Sequence, residues 1–212
     1  MFRQQVEAGN HLRDRRADLV RNGFAETARI APVEDVCGDI AQADDALWER
    51  LGTGENLVVL MRHANSTGGR PLAWDPTGQC RGETTLSAKG RAEAKRLGEA
   101  FASRGIVPVV VTSPMCRCTQ TATIAFGDRF ETDPLLREVE SADASRTAAF
   151  EAKAQAMIAA ARGRKPVVFV SHRPNINVLT MELIDEGDLL VARANGKGEV
   201  DVLGRLRIPD AP

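Results

Sequence analysis

Two arginines and two histidines stand where they could act together on a phosphate group. Arg62 and His63 are adjacent, while Arg117 and His172 each follow a separate apolar stretch of the sequence. Guanidinium groups match phosphate oxygens bidentately, and a neutral imidazole is a nucleophile that can carry a phosphoryl group. Taken together, these residue types point to chemistry on a phosphate group.

Each of these residues also has an interpretation without function. An Arg-His pair is usually a surface feature, and a histidine that ends a strand is often a capped core residue. Arg117 could form a structural ion pair, but a cation in the first turn of a helix opposes the helix dipole unless both face the same anion. The recurrence of such residues after three strands favours function. We expect no role for His11.

Three short apolar runs position these side chains. They are continuous, as strands buried on both faces of a sheet are, and they comprise residues 57–61, 109–111 and 167–170. Ligands of open α/β sheets bind outside the carboxyl ends of the strands. The side chains that follow the three runs are therefore expected to meet at one edge of the sheet.

Helical patterns separate the three runs. One helix opens at Leu86-Ser87 and ends before Gly105, while Ser113-Pro114 has the chemistry of an N-cap followed by the first residue of a second helix. A long amphipathic helix is marked by an apolar face that comprises Phe150, Ala154, Met157, Ile158 and Ala161.

The last part of the chain predicts one more helix and a hairpin. The helix follows Pro174 and includes Leu179 and Leu183, and residues 189–193 and 200–208 form the hairpin at an edge of the sheet. Buried strands that alternate with helices indicate a layered α/β domain.

The first 54 residues differ from the rest. Residues 3–29 are helix-prone with only a thin apolar stripe, and a second short helix is predicted over residues 43–51, before Gly52-Thr53-Gly54. We therefore predict a helical extension over residues 1–54, without a function of its own, and the catalytic domain over residues 55–212.

Composition excludes several classes of protein. The formal net charge of −1 gives no bulk attraction for nucleic acid or an anionic membrane, and no run approaches the ~20 apolar residues of a membrane-spanning helix. The charged N-terminus lacks the apolar stretch of a secretory signal, which predicts a cytoplasmic location. Only three histidines and no CxxC pair are present, so no metal site is expected.

The chain resembles the histidine phosphatase superfamily, which includes the phosphoglycerate mutases. The resemblance spans residues 56 to about 184 and consists of five motifs in the family's order: LVVLMRHA (57–64), LSAKG (86–90), SPMCRCTQTA (113–122), LRE (136–138) and SH (171–172). Ala64 replaces the glycine of the family's Arg-His-Gly, and Arg173 stands where many relatives have glycine.

This resemblance implies a fold and a set of roles. The fold is a three-layer α/β/α sandwich with a mostly parallel central sheet, like that of phosphoglycerate mutase. His63 is the nucleophile. The phosphate is bound by Arg62, Arg117 and His172, and His172 is a second cationic donor to it. Glu138 is the general acid, with Glu140 as the alternate. The family chemistry needs no metal and no cofactor.

The spacing bears on the substrate. His63 and His172 lie 109 positions apart, which leaves little room for a capping insertion. An open site favours a phosphomonoester phosphatase that acts on a phosphorylated small molecule, sugar or phosphoprotein. The alternatives are a mutase acting on a small phosphorylated acid and a non-catalytic phosphate-binding module, although the module would be expected to lack His63 or an arginine.

The cysteines leave the compartment open. The four cysteines can all be free buried thiols, or Cys80 can pair with Cys116 or Cys118. The family fold brings the LSAKG turn and the helix after Ser113-Pro114 to the same sheet edge, which is the argument for a pair. Such a bridge requires an oxidising compartment. Together with a resemblance to exported lipopolysaccharide-heptose phosphatase-like proteins, it makes the periplasm the alternative location.

Overall fold

The structure is a computed structural model that describes residues 44–140 and 142–209. A six-stranded sheet lies at its centre, in the order β5-β4-β6-β1-β7-β8. Its strands are β1 (Leu57–Arg62), β4 (Val109–Thr112), β5 (Glu131–Thr132), β6 (Val167–Ser171), β7 (Leu189–Ala194) and β8 (Val200–Leu206). A separate two-stranded sheet consists of β2 (Ser66–Thr67) and β3 (Thr85–Leu86).

Helices cover both faces of the central sheet. They are α1 (residues 44–53), α2 (Ala88–Ala102), α3 (Cys116–Phe126), α4 (Ala144–Ala160) and α5 (Arg173–Thr180), with a 3₁₀ turn at Pro134–Leu136. Alternate residues of β1 point to opposite faces, since Val59 packs in a cluster with α1, α2 and α3. Leu60 packs in a second cluster with α4 and α5. The predicted three-layer α/β/α architecture is therefore confirmed.

The sheet is mostly parallel, and its register brings the predicted strand ends together. β5, β4, β6 and β1 run parallel to one another, whereas β7 and β8 are antiparallel and form the predicted edge hairpin. Arg62 lies beside Ser171, and Thr112 lies beside Val170. The chain thus leaves β1, β4 and β6 at nearly the same level of one sheet edge.

Two predicted helix boundaries are wrong. The helix after β4 begins at Cys116 with Met115 as its N-cap, not at Ser113-Pro114. The reason is that the Ser113 hydroxyl accepts a hydrogen bond from the Met115 backbone N–H, two residues on, and holds a local turn before the helix. The helix after β6 ends at Thr180, and Leu183 lies beyond it and is exposed.

Helix α1 packs against the sheet. Trp48 and Leu51 are buried in the same apolar cluster as Val59, and the Trp48 ring meets the Phe101 ring edge-on at 5.1 Å. The helix predicted over residues 3–29 lies outside the described residues, and the domain boundary at residues 54/55 stays a prediction. No helix among the described residues is long and apolar enough to cross a membrane.

Candidate active site

The three strand ends converge on Arg117. The Arg117 Nε atom donates to His63 Nε2 over 3.1 Å, and its Nη2 atom lies 3.0 Å from His172 Nδ1. Their exposed fractions are 4% for His63, 2% for Arg117 and 0% for His172. The structure therefore brings together three of the side chains that the sequence predicted to meet.

His63 is held as a neutral imidazole with its lone pair on Nε2. Its Nδ1 atom lies 2.9 Å from the Ala64 carbonyl oxygen, which can only accept, so Nδ1 carries the proton. Burial, followed by the nearby charges of Arg117 and Arg62, lowers the pKa of His63 to about 3, although the Ala64 hydrogen bond acts in the opposite direction. Nε2 is thus the unprotonated, nucleophilic nitrogen at neutral pH.

His172 is neutral with the opposite tautomer. Because Arg117 donates to its Nδ1, the proton lies on Nε2, which is 2.8 Å from the Ser113 hydroxyl oxygen. Burial, together with the charge of Arg117, holds the pKa of His172 well below its usual range. The ring is therefore uncharged in this arrangement, which differs from the cationic donor that the resemblance implied.

Glu138 lies on a loop and contacts the Arg117 guanidinium. Its Oε2 atom lies 2.5 Å from Arg117 Nη2, and the side chain is 18% exposed. Burial raises the pKa of Glu138 despite the opposing charges of Arg117 and Arg62. A carboxyl group of raised pKa suits a proton donor. Glu140, the alternate acid, is exposed, and no described side chain of the site bonds to it.

Arg62 lies at the edge of the site beside a carboxylate that the sequence did not single out. Its Nη2 atom is 3.6 Å from Glu186 Oε1. Glu186 also accepts hydrogen bonds from the Asn65 amide at 2.7 Å and the Ser66 hydroxyl at 2.9 Å. Glu186 precedes β7 in a loop, and only its tertiary contacts reveal its place.

The two departures from the family motifs have simple structural outcomes. The Ala64 methyl group is buried, and its backbone N–H donates to the Thr121 hydroxyl over 3.1 Å. The Arg173 guanidinium contacts the Ile184 carbonyl and the Asp185 carboxylate. The glycine of the LSAKG turn is required, because a Cβ atom at Gly90 would lie 1.9 Å from the Asn65 carbonyl oxygen.

A disulfide links a long loop to the helix that carries Arg117. Cys80 pairs with Cys116, with a Cα–Cα distance of 5.7 Å, which confirms one of the two predicted pairings. The Glu83 carboxylate also accepts from the Cys116 backbone N–H over 2.8 Å. Cys118 is free and buried, and burial raises its pKa to about 12.

The same loop reaches the residue before Glu138. The Arg137 guanidinium stacks on the Trp74 ring at 4.2 Å from its centroid. Residues 68–84 therefore adjoin both the Arg117 and the Glu138 sides of the site. The short interval between the two histidines predicted an open site. In the structure, residues 68–84 cover one side of the site, and His63 has little exposure to solvent.

Among residues 44–140 and 142–209, no three His, Cys, Asp or Glu side chains are placed to hold a metal ion. A cleft of about 290 Å³ lies behind Glu186, between Lys89, Glu93 and Arg207. It shares Glu186 with the site but includes neither histidine, so the hydrogen-bonded cluster, and not the cleft, identifies the site.

Similarities to known proteins agree with this geometry. A 2,3-bisphosphoglycerate-dependent phosphoglycerate mutase from Corynebacterium diphtheriae is 39% identical over 71 residues, which cover 32% of this chain and 26% of the mutase. The match thus spans about a quarter of that relative's length.

Solved structures share the fold. The protein histidine phosphatase SixA, solved with tungstate, has 17% identity, covers 71% of this chain and 96% of its own, and gives a TM-score of 0.53. A phosphoglycerate mutase from Thermus thermophilus has 20% identity, covers 72% of this chain and 99% of its own, and gives a TM-score of 0.50. Residues 58–155 match the histidine phosphatase superfamily, branch 1. Within these residues, the chain is similar to that superfamily.

Proposed function

We propose that this protein hydrolyses phosphomonoesters through a phosphohistidine on His63. The observation that carries the proposal is the arrangement around its ring: Nδ1 is occupied by the Ala64 carbonyl, and Nε2 faces the buried Arg117 guanidinium at 3.1 Å. A neutral nucleophile beside a buried cation suits attack on an anionic phosphoryl group, because the cation stabilises the charge of the transition state.

The first step transfers the phosphoryl group to the enzyme. The His63 Nε2 lone pair forms a bond to phosphorus as the bond from phosphorus to the ester oxygen breaks. The ester oxygen takes the electron pair of that bond and the proton of Glu138, and leaves as an alcohol. The raised pKa of Glu138 supports its role as the proton donor.

The second step regenerates the enzyme. A water molecule attacks phosphorus while the Glu138 carboxylate accepts one of its protons. The bond between phosphorus and Nε2 breaks, and its electron pair returns to His63. Glu138 is therefore an acid in the first step and a base in the second, as a double displacement requires.

Phosphate binding must compete with contacts inside the site. Arg117 Nη2 bonds to Glu138, and Arg117 Nη1 is buried with no partner among the described residues. We expect the phosphoryl group to take Nη1, to displace Glu138 toward the ester oxygen and to replace the hydrogen bond from Arg117 Nε that occupies the His63 Nε2 lone pair. Arg62 supplies a second guanidinium. A bound dianion would raise the pKa of His172, which could then donate a proton to a phosphate oxygen.

Hydrolysis of p-nitrophenyl phosphate tests this function. The wild-type protein is expected to release p-nitrophenol, to be inhibited by vanadate and to keep its activity in EDTA. His63→Ala should be inactive, and His11→Ala serves as the matched control with full activity. The absence of wild-type hydrolysis across a panel of phosphorylated metabolites, sugars and phosphoproteins would contradict the proposal and favour a phosphate-binding module.

A phosphoglycerate mutase is the second candidate, favoured by the 71-residue match to the corynebacterial enzyme. It is disfavoured by the short interval between His63 and His172, which leaves little chain to enclose a phosphorylated intermediate. Incubation with 3-phosphoglycerate and a bisphosphoglycerate activator separates the two candidates. A phosphatase releases inorganic phosphate, whereas a mutase yields 2-phosphoglycerate with little release.

The compartment belongs to the same proposal. The Cys80–Cys116 bridge favours an oxidising compartment such as the periplasm over the cytoplasm. Fractionation of cells followed by thiol alkylation decides between them, because a cytoplasmic protein would present Cys80 and Cys116 reduced.

A further inference from the structure

Asn175 is a buried polar side chain in the first turn of α5, three residues after His172. Its exposed fraction is 0%, and it does not cap its own helix. Buried amides are retained where their hydrogen-bonding groups have partners. Both partners of Asn175 lie outside α5, in the segment that carries Glu138.

The Asn175 amide holds the chain on both sides of Glu138. Its Nδ2 atom donates to the Arg137 carbonyl oxygen over 3.0 Å, and its Oδ1 atom accepts from the Val139 backbone N–H over 3.1 Å. A neighbouring strand would offer the same donor and acceptor through its peptide groups. Residues 138–140 belong to no helix or strand, so this amide takes the place of a ladder partner.

Other tethers of this segment are weaker. The Glu138 backbone N–H points at the Met115 sulfur over 3.4 Å, and sulfur is a weak acceptor. The Glu138 carboxyl contacts Arg117, a contact that phosphate must break during turnover. The Asn175 bonds are to backbone groups, and nothing in the reaction competes for them.

We propose that Asn175 is the positioning residue for the general acid. From the first turn of α5, which follows His172, its amide holds the backbone of Glu138 where the carboxyl group can reach the ester oxygen. This rests on the proposed phosphatase function. One turn of α5 then sets both a phosphate-binding side chain and the proton donor, so the two keep their separation when Glu138 leaves Arg117.

The leaving group distinguishes positioning from a merely structural role. p-Nitrophenolate leaves as an anion without a proton, whereas benzyl alcohol needs one, and the two phosphate esters are similar in size. A displaced Glu138 should therefore slow benzyl phosphate selectively. The ratio kcat/KM is the proper measure, because it reports the steps up to departure of the alcohol and is independent of phosphohistidine hydrolysis.

The experiment compares Asn175→Ala with Asn177→Ala, a matched asparagine on the same helix whose side chain makes a single described hydrogen bond, a 3.5 Å contact to the Glu182 carbonyl. In Asn175→Ala, we expect kcat/KM for benzyl phosphate to fall by about 10²-fold, the scale of general acid catalysis, and that for p-nitrophenyl phosphate by less than about threefold. Asn177→Ala should leave both values near wild type.

A second variant and a second measurement guard against loss of folding. Asn175→Asp keeps the oxygen that accepts from the Val139 N–H but places a second oxygen against the Arg137 carbonyl, in place of the donating amide nitrogen. It should therefore also slow benzyl phosphate more than p-nitrophenyl phosphate. In either variant, a more solvated Glu138 regains an ordinary pKa, so the alkaline limb of kcat/KM for benzyl phosphate should move to lower pH.

Equal losses for both esters in folded variants, or no loss for either, would overturn the positioning role. Failure of the proposed function would look different, because wild-type protein would then hydrolyse neither ester.

Discussion

The buried residues of the proposed active site and the carboxylates around them are held in different ways. His63 and His172 directly follow β1 and β6, Arg117 lies in the first turn of α3 after β4, and all three are at most 4% exposed. Glu138 and Glu186 lie on loops, with side-chain exposures of 18% and 23%. The strand register fixes the first group, whereas side-chain hydrogen bonds hold the second.

This difference has a mechanistic meaning. A site that stabilises a transition state works best when it needs no reorganisation, and residues fixed at the ends of parallel strands satisfy that need. A proton donor must move from Arg117 to the ester oxygen and then to water. A loop tethered through its backbone permits this movement of the side chain while the chain itself stays in place.

The largest effect should follow from removing the central cation. Arg117→Ala is expected to lower kcat/KM for p-nitrophenyl phosphate by on the order of 10⁴-fold, comparable to loss of a catalytic arginine in phosphoryl transfer, and to weaken vanadate inhibition. The melting temperature should change little. Arg91→Ala, an exposed arginine on α2, is the control. A large loss of stability with unchanged vanadate affinity would make Arg117 a structural residue.

The next effect concerns the loop that depends on a covalent tether. Cys80→Ser opens a bridge between residues 36 positions apart, and chain entropy predicts a loss of about 4 kcal/mol in unfolding free energy. Denaturant unfolding measures it. Reductant should destabilise the wild type equally and leave Cys80→Ser unchanged. A wild type indifferent to reductant would show that the bridge contributes nothing.

A smaller effect on activity, which depends on the substrate, is expected at Glu138, the proposed general acid. Glu138→Gln should lower kcat/KM for benzyl phosphate by about 10²-fold and affect p-nitrophenyl phosphate far less. The wild-type rate with benzyl phosphate should fall as pH rises through the raised pKa of Glu138, because the deprotonated form cannot donate. Glu140→Gln is the control. If Glu140→Gln removed the alkaline limb instead, the two roles would be exchanged.

The smallest effect is expected at Glu186. Its carboxylate lies 3.6 Å from Arg62 and is partly solvated, and such pairs contribute up to about 1 kcal/mol. Glu186→Gln frees Arg62 for phosphate, so the inhibition constant of inorganic phosphate should fall by about twofold to fivefold. Glu182→Gln, near Arg205 on the surface, is the control. Weaker phosphate binding would instead show that Glu186 orients Arg62.

The same contrast explains what could be predicted from the sequence. Apolar runs determine strands, and parallel strands must end at one edge, so residue order alone was enough to place His63, Arg117 and His172 together. Glu138 was found only through the family motif, since nothing local distinguishes it from Glu140. Glu186 and the tether from Asn175 depend on contacts across more than 30 positions, which no local pattern reveals.

The start of α3 shows another limit. Ser113-Pro114 has good helix-capping chemistry, yet its hydroxyl binds the Met115 N–H and lies 2.8 Å from His172 Nε2. The tertiary contact with a buried histidine decided the role of the serine. The tautomer of His172 follows from the hydrogen bond that Arg117 donates to its Nδ1 atom, and it could not be inferred from residue types.

Identification of the phosphorylated residue tests the central claim most directly. Glu138→Gln should still be phosphorylated by p-nitrophenyl phosphate but hydrolyse the intermediate slowly, so it serves as a trap. Quenched-flow labelling and peptide mass spectrometry at alkaline pH should find acid-labile, alkali-stable phosphate on His63, and none after His63→Ala. Label on another residue, or wild-type turnover by His63→Ala, would contradict the account.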